Sequence, residues 1–150
     1  MPGYGISDDP TGLLPWSWAE QRLTDSHNYW VGTVGRRGAP QAAVVWGIWL
    51  DERFWFSTGD GSRKARDLRA DERCTVATEQ AADALVVRGR AQVVTDRAHV
   101  AEVARRYRAK YGEGFPEDGD DPLFVVVASS VLATPEADFT RHPTRWRYVD

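Results

Sequence analysis

Apolar residues fall in short runs divided by glycine, proline and charge, the rhythm of strands joined by tight turns rather than of a helical bundle. NYWVGTVG (28–35) is β-branched and aromatic, and RRGAP (36–40) is a turn. QAAVVWGIWL (41–50) is almost wholly apolar, which predicts a strand buried on both faces; DER (51–53) then connects it tightly to FWFST (54–58). CTVAT (74–78) is a fourth strand. ALVVRGRAQVV (84–94) alternates, with Val87, Gly89, Ala91 and Val93 on one face and Arg88, Arg90 and Gln92 on the other. PLFVVVASSVLATP (122–135) reads as a strand buried through its first half, and TRWRYV (144–149) as a short last one.

Helical spacing appears three times. PWSWAEQRLTDS opens with Pro15 at the first helical position. A two-turn helix follows residue 62, with Ala65 and Leu68 one turn apart. The clearest is capped by Thr95 or Asp96, carries Val100, Val103, Ala104, Tyr107 and Tyr111 as its apolar stripe, and stops at Gly112. Residues 1–14 form an irregular arm and 113–121 an acidic loop.

Six to seven mostly consecutive strands with two or three helices predict a mainly β chain, an antiparallel barrel with peripheral helices, its first three strands a meander. Strands and helices do not alternate as a doubly wound sheet requires. A length of 150 residues fits one domain, 1–150.

Charge narrows the partners. The net charge of −3 argues against whole-molecule steering toward nucleic acid, so any anion site is local. Cys74 is the only cysteine, which excludes an intrachain disulfide and a cysteine-based zinc site. The first residues lack the basic start and apolar core of a secretory leader, and no apolar run reaches membrane-spanning length. A cytoplasmic setting without membrane association is expected. Six of the seven tryptophans lie in the first 55 residues; core, pocket and oligomer interface each account for that.

Candidate chemistry is sparse. His27, His99 and His142 are scattered, with no metal-ligand spacing, and no metal is expected. Cys74 opens an interior strand and reads as an inert buried thiol. Asp120 and Asp121 belong to the solvated acidic loop. With no acid, base or nucleophile in view, a bound cofactor has to supply any chemistry, and the catalytic residues stay unassigned.

Attention then falls on STGDGSRKARDL (57–68). Ser57 and Thr58 end a strand, Gly59 and Gly61 allow a sharp turn, and Ser62 caps the next helix. Arg63 and Lys64 occupy a first turn that ordinarily prefers acids. Hydroxyls, free N–H groups and two cations converge there as in a phosphate socket, although a solvated helix start has the same composition. The strand 41–50 offers Trp46 or Trp49 as a wall for a planar ring, or simply as core.

These residues carry a resemblance. FWFSTGDGSRKARDL resembles the signature of the pyridoxamine 5′-phosphate oxidase-like flavin and deazaflavin proteins, in which a strand ending in hydroxyls leads to S-R-K at a helix start. Residues 27–95 are similar throughout, including the G-x-P turn, the V-W strand and the G-x-A strand, and PTRWRY resembles endings in the same group. The resemblance implies a split β-barrel, a homodimer and two cofactor sites at the subunit interface. It implies that Ser57, Thr58, Ser62, Arg63 and Lys64 bind phosphate, and that the backbone of Ala43, Val44, Val45 and Trp46 flanks the ring. Many relatives have proline where Val44 stands. Trp146 and Arg147 match residues contributed by the partner subunit.

The compact chain and its tryptophan-rich N-terminal helix resemble the branch that binds coenzyme F420, with FMN the alternative. The oligoglutamate tail of F420 favours basic groups at the pocket mouth, for which Arg36, Arg37, Arg66, Arg88 and Arg90 are candidates. The implied activity is hydride transfer between a deazaflavin and a small organic acceptor. An FMN-dependent oxidoreductase, a non-catalytic cofactor carrier and a heme-handling protein of the same fold are the alternatives.

Overall fold

The computed structural model describes Ile6 and residues 9–148. Its elements run α1 (Trp16–Asp25), β1 (Tyr29–Val34), β2 (Pro40–Val45), β3 (Ile48–Leu50), β4 (Arg53–Ser57), α2 (Arg63–Ala70), β5 (Arg73–Thr78), β6 (Asp83–Val93), α3 (Arg97–Tyr111), β7 (Leu123–Pro135) and β8 (Thr144–Arg147). The strands make one antiparallel sheet in the order β2-β1-β5-β6-β7-β4-β3, with β8 on β7. Long β7 has β6 along one side; its other side takes β4 over its first half and β8 over its second. The chain is mainly β, a curled antiparallel half-barrel with three helices, as the patterning predicts.

Several local expectations change, including that for β7, whose buried positions continue through its second half at Val131 and Ala133. The run 41–50 is not one strand buried on both faces: it breaks at Trp46–Gly47, its first half pairing with β1 and its second with β4. Val44 is 48% exposed, because β2 is an edge strand with one face toward solvent. For the same reason the first three strands are not a meander. β2 and β3 are the two outer strands of the sheet, and the polypeptide between them closes the curl that hydrogen bonds leave open. Glycine is required at this seam, since a Cβ on Gly47 would stand 2.2 Å from the Phe54 ring and 2.9 Å from the Trp55 carbonyl.

Local chemistry explains most boundaries. Asp51 and Glu52 both adopt positive φ, 53° and 56°, giving the two-residue turn whose twist suits a β-hairpin. Asp96 rather than Thr95 caps α3, accepting the Ala98 N–H at 2.8 Å and the His99 N–H at 3.3 Å, and Gly112 ends the helix at φ 80°. Pro15 lies one position earlier than predicted, as the extended residue before α1. The arm 1–14 lies partly outside the described residues. Its described end is pinned, with the Leu14 N–H on Thr144 Oγ1 at 2.9 Å and the His142 Nδ1 donating to the Gly12 carbonyl at 2.7 Å.

The main core fills the concave side with Tyr29, Phe54, Phe56, Leu85, Phe124 and their neighbours, under Ala19 and Leu23 of α1. A smaller cluster of Ile48, Trp55, Val103, Tyr107 and Leu123 seats α3 against β3 and β4. No helix among the described residues is long and apolar enough to cross a membrane.

Candidate cofactor site

The segment 57–64 runs from the last residue of β4 into the N-terminus of α2. Pairing with Leu123 fixes Ser57, and the Thr58 N–H donates to the Pro122 carbonyl at 3.3 Å. Ser62 caps α2: its Oγ accepts the Ala65 N–H at 3.2 Å and lies 3.3 Å from Thr58 Oγ1. Gly59 and Gly61 do not have the positive φ of a forced turn, so the sharp-turn reading is corrected. What they provide is room, because a Cβ on Gly61 meets nothing within 4 Å and one on Gly59 only the Asp121 carboxylate at 4.0 Å.

Two acids, Asp60 and Asp121, flank this corner. Asp60 is turned away: its carboxylate pairs with Arg69 at 2.5 Å, and its N–H donates to Asp121. Arg63, Lys64 and Arg66 form no ion pair with a described residue. The first N–H groups of an α-helix have no intrahelical acceptor, and α2 has no acid in its first turn to meet them. The Ser62 hydroxyl, with buried Thr58 behind it, two cations and the first amides of α2 thus lie along one short segment beside an open approach, a donor set that fits a phosphate. Ser57 is less available, because its hydroxyl donates to Pro122 and its N–H to Tyr107.

From Arg63 a cleft of about 750 Å³ extends between α2 and the 35–41 turn, with Arg36, Arg66 and Arg73 among its lining and Asp67 and Asp71 as its acids. Asp67 is buried and accepts the Thr33 hydroxyl at 2.9 Å, docking α2 on β1. Asp71 is spent on Arg73, whose hydrogen bonds hold its carboxyl down to about 2. Of the five arginines expected at the mouth, Arg36 and Arg66 share this cleft. Arg88 and Arg90 face a separate groove over Gly32 and Gly89, and Arg90 pairs with Glu72 at 2.9 Å.

On the ring-flanking run, Val45 is buried, Ala43 half-buried and Val44 exposed beside its cross-strand neighbour Trp30, itself 49% exposed. The Gly35 N–H bonds to Ala39 at 2.7 Å, so alternation along the hairpin turns the Val44 N–H and C=O to the open edge. Trp46 is partly exposed, its ring stacked on Tyr111 and 5.8 Å from His27 edge-on. Trp49 is buried, 6.2 Å from Trp16, and belongs to the core.

Continuing the β3–β4 register by two residues places Trp46 opposite Ser57, so the two candidate segments meet at one rung. Trp146 and Arg147 do not join them. Trp146 pairs with Val131, eight positions along β7 from the partner of Ser57, or about 26 Å at ~3.3 Å per residue, and its ring packs on Trp16.

Two residues on α3 were not foreseen: the sequence pattern puts Tyr107 only in the apolar stripe and does not single out Lys110. The Tyr107 hydroxyl accepts the Ser57 N–H at 3.2 Å and donates to the Trp46 carbonyl at 2.7 Å. Lys110 donates to the Tyr29 hydroxyl at 2.8 Å and to the Gly47 carbonyl at 3.1 Å; burial lowers its ammonium to about 8. The visible signal was a pair of tyrosines four residues apart within an otherwise aliphatic stripe. Elsewhere, Cys74 is buried and its thiol is pushed up to about 12, an inert group as expected. No group of three metal-ligating side chains occurs among the described residues.

Comparison with known proteins agrees with this architecture. A solved F420 reductase superposes with a TM-score of 0.61 at 21% identity, covering 75% of this chain and 94% of that one. The general stress protein 26 of Bacillus anthracis str. Sterne superposes with a TM-score of 0.70 at 13% identity, over 88% of this chain and 97% of that one. A heme binding protein from Mycobacterium smegmatis gives a TM-score of 0.61 at 15% identity, over 87% and 62%. At these identities the likeness is one of fold. No curated protein sequence matches the chain. The family profile described as pyridoxamine 5′-phosphate oxidase matches residues 19–148, and the chain therefore belongs to the pyridoxamine 5′-phosphate oxidase family.

Proposed function

We propose that the chain is an oxidoreductase that binds coenzyme F420 by its phosphate at the α2 N-terminus and reduces or oxidises a small organic acceptor. The observation that carries this reading is the donor set of Ser62, Arg63 and Lys64 at the start of α2, whose cations form no ion pair with a described residue, beside two glycines that leave the approach open. When bound, the cofactor supplies the hydride chemistry that the side chains lack. Arg63 and Lys64 hold its phosphate, and Ser62 orients it while capping the helix. The open backbone edge at Val44 and the Trp46 ring wall the planar part.

The arginine-lined cleft beside Arg63 favours F420 over FMN, because only F420 carries an acidic tail for Arg36 and Arg66 to meet. No donor is assigned to the acceptor, which takes its proton from solvent in this reading. Separation of Trp146 from the phosphate segment within one chain fits a homodimer in which the partner subunit's Trp146 and Arg147 complete the site. The exposed Trp30 and Val44 pair is the apolar surface such a dimer covers.

Titration with F420 and with FMN, followed by cofactor fluorescence and native mass, tests the reading. F420 should bind more tightly than FMN, at one cofactor per chain in a dimer. Tighter binding of FMN moves the function to an FMN-dependent oxidoreductase of the same site, and binding of neither removes it. Reduced cofactor that is bound but never oxidised across a panel of quinone, tetrapyrrole and enone acceptors marks a carrier.

A further inference from the structure

Antiparallel strands joined by a two-residue turn exchange backbone hydrogen bonds at every second pair. Here Leu50–Arg53 closes the turn, so Ile48–Trp55 and then Trp46–Ser57 are the bonded pairs of the ladder. At Trp46–Ser57 a side chain occupies the rung. The Tyr107 hydroxyl accepts the Ser57 N–H at 3.2 Å and donates to the Trp46 carbonyl at 2.7 Å, so two backbone groups due to bond each other bond to one phenol instead. The phenol is held in place: Tyr107 is buried, with Phe115 edge-on to its ring at 5.1 Å and Tyr111 at 5.5 Å.

Resting on the cofactor reading above, we infer that Tyr107 is a positioning residue, a spacer that keeps the rung between Trp46 and Ser57 open and so sets the distance between the ring-flanking run and the phosphate segment. Ser57 leads directly into Thr58 and Ser62, and Trp46 follows Val44 by two residues. A change of one hydroxyl diameter at the rung therefore shifts the two halves of the site relative to each other. Without the hydroxyl, the Ser57 N–H and the Trp46 carbonyl satisfy each other by closing the ladder, which costs the fold little.

Tyr107→Phe tests this, with FMN and F420 as probes and Tyr29→Phe as control. Tyr29 also bears a buried hydroxyl, donating to the Leu23 carbonyl at 2.6 Å and accepting from Lys110, and this hydroxyl bonds to neither Trp46 nor Ser57. For Tyr107→Phe the spacer predicts a near-unchanged unfolding midpoint, slower exchange of the Ser57 amide, and about tenfold weaker binding of the preferred cofactor. Tyr29→Phe should show the reverse, a lower midpoint with affinity within about twofold.

Unchanged affinity in Tyr107→Phe overturns the spacer while leaving the cofactor reading intact. A Tyr107→Phe chain that fails to fold, or whose Ser57 amide exchanges faster, also overturns it, because the closed rung should sustain the barrel. An equal loss of affinity in Tyr29→Phe overturns it by assigning the effect to the fold at large. A wild-type chain that binds neither probe overturns both readings.

Discussion

The rings of Trp46 and Tyr111 lie stacked, 4.4 Å apart at their centroids and within 1° of parallel. One belongs to the seam where the chain passes from one outer strand of the sheet to the other, and the other to the last turn of α3. Tyr111 also accepts the Gly47 N–H at 3.0 Å, so the seam is held by both a ring face and a hydroxyl. Tyr111→Ala should destabilise by about 2–4 kcal/mol through lost packing and an orphaned amide, whereas Tyr111→Phe should lose only about 1 kcal/mol. Urea unfolding of the pair separates ring from hydroxyl; equal losses would show that the stacking contributes nothing.

Arg63 and Lys64 set stability against binding. Cations in a first turn oppose the helix dipole, so the Arg63→Ala, Lys64→Ala double variant should unfold at an equal or slightly higher midpoint, by a few tenths of a kcal/mol. Its cofactor affinity should fall by several kcal/mol, at about 1.5–3 kcal/mol for each charged hydrogen bond lost. A variant that loses stability while retaining affinity would return this segment to an ordinary solvated turn.

Ser62 serves the helix and the phosphate at once, and two substitutions separate the roles. Ser62→Ala removes the acceptor of the Ala65 N–H and should cost about 1 kcal/mol. Ser62→Asp restores the cap but places a carboxylate beside the anion. It should match wild type in thermal unfolding and bind the cofactor far more weakly than Ser62→Ala.

Lys110 gives the fold a specific pH dependence. Burial holds its ammonium at about 8, below the ordinary 10.5, against the opposing influence of Asp25 and Glu79. Between pH 8 and about 9 the unfolded chain therefore keeps a proton that the folded chain has released, and the unfolding free energy rises with pH. Above about pH 9 the buried Cys74 thiol cancels this rise, and above about pH 10 the phenols of Tyr29, Tyr107, Tyr111 and Tyr148, all raised by burial, reverse the slope. The urea midpoint should be higher at pH 9 than at 7.5 in the wild type, and the difference should vanish or reverse in Lys110→Met.

Gly47→Ala should be among the most damaging single-methyl additions in the chain. The added carbon would meet the Phe54 ring and the Trp55 carbonyl, neither of which can move without opening the β3–β4 hairpin. A loss of about 2–3 kcal/mol or more in chemical unfolding is expected, with Gly61→Ala nearly neutral as the matched control.

Much of this was legible along the chain because its causes are local. Alternation in 84–94, the acidic cap and terminal glycine of α3, and the S-R-K run at a helix start each depend on residues a few positions apart. The break in 41–50 was not legible. An apolar run with one glycine is compatible with a single buried strand, and only the curvature of the finished sheet makes Trp46–Gly47 the crossing point. The arginines show the same division: five were candidates by charge, and packing of α2 on β1 decided that Arg36 and Arg66 share a cleft with Arg63 while Arg88 and Arg90 face elsewhere.

By itself, then, the sequence determined the mainly β class, the approximate helix positions and the S-R-K run at a helix start, since propensity, capping and charge act over a turn or two. Tertiary structure alone decided that Trp46 stands opposite Ser57, that the Tyr107 hydroxyl occupies their rung, and that Trp146 lies far from both. Those relations join residues about 10 to 100 positions apart, and nothing in a local pattern encodes them. They follow from how the sheet curls and which outer strand each half of the broken run joins.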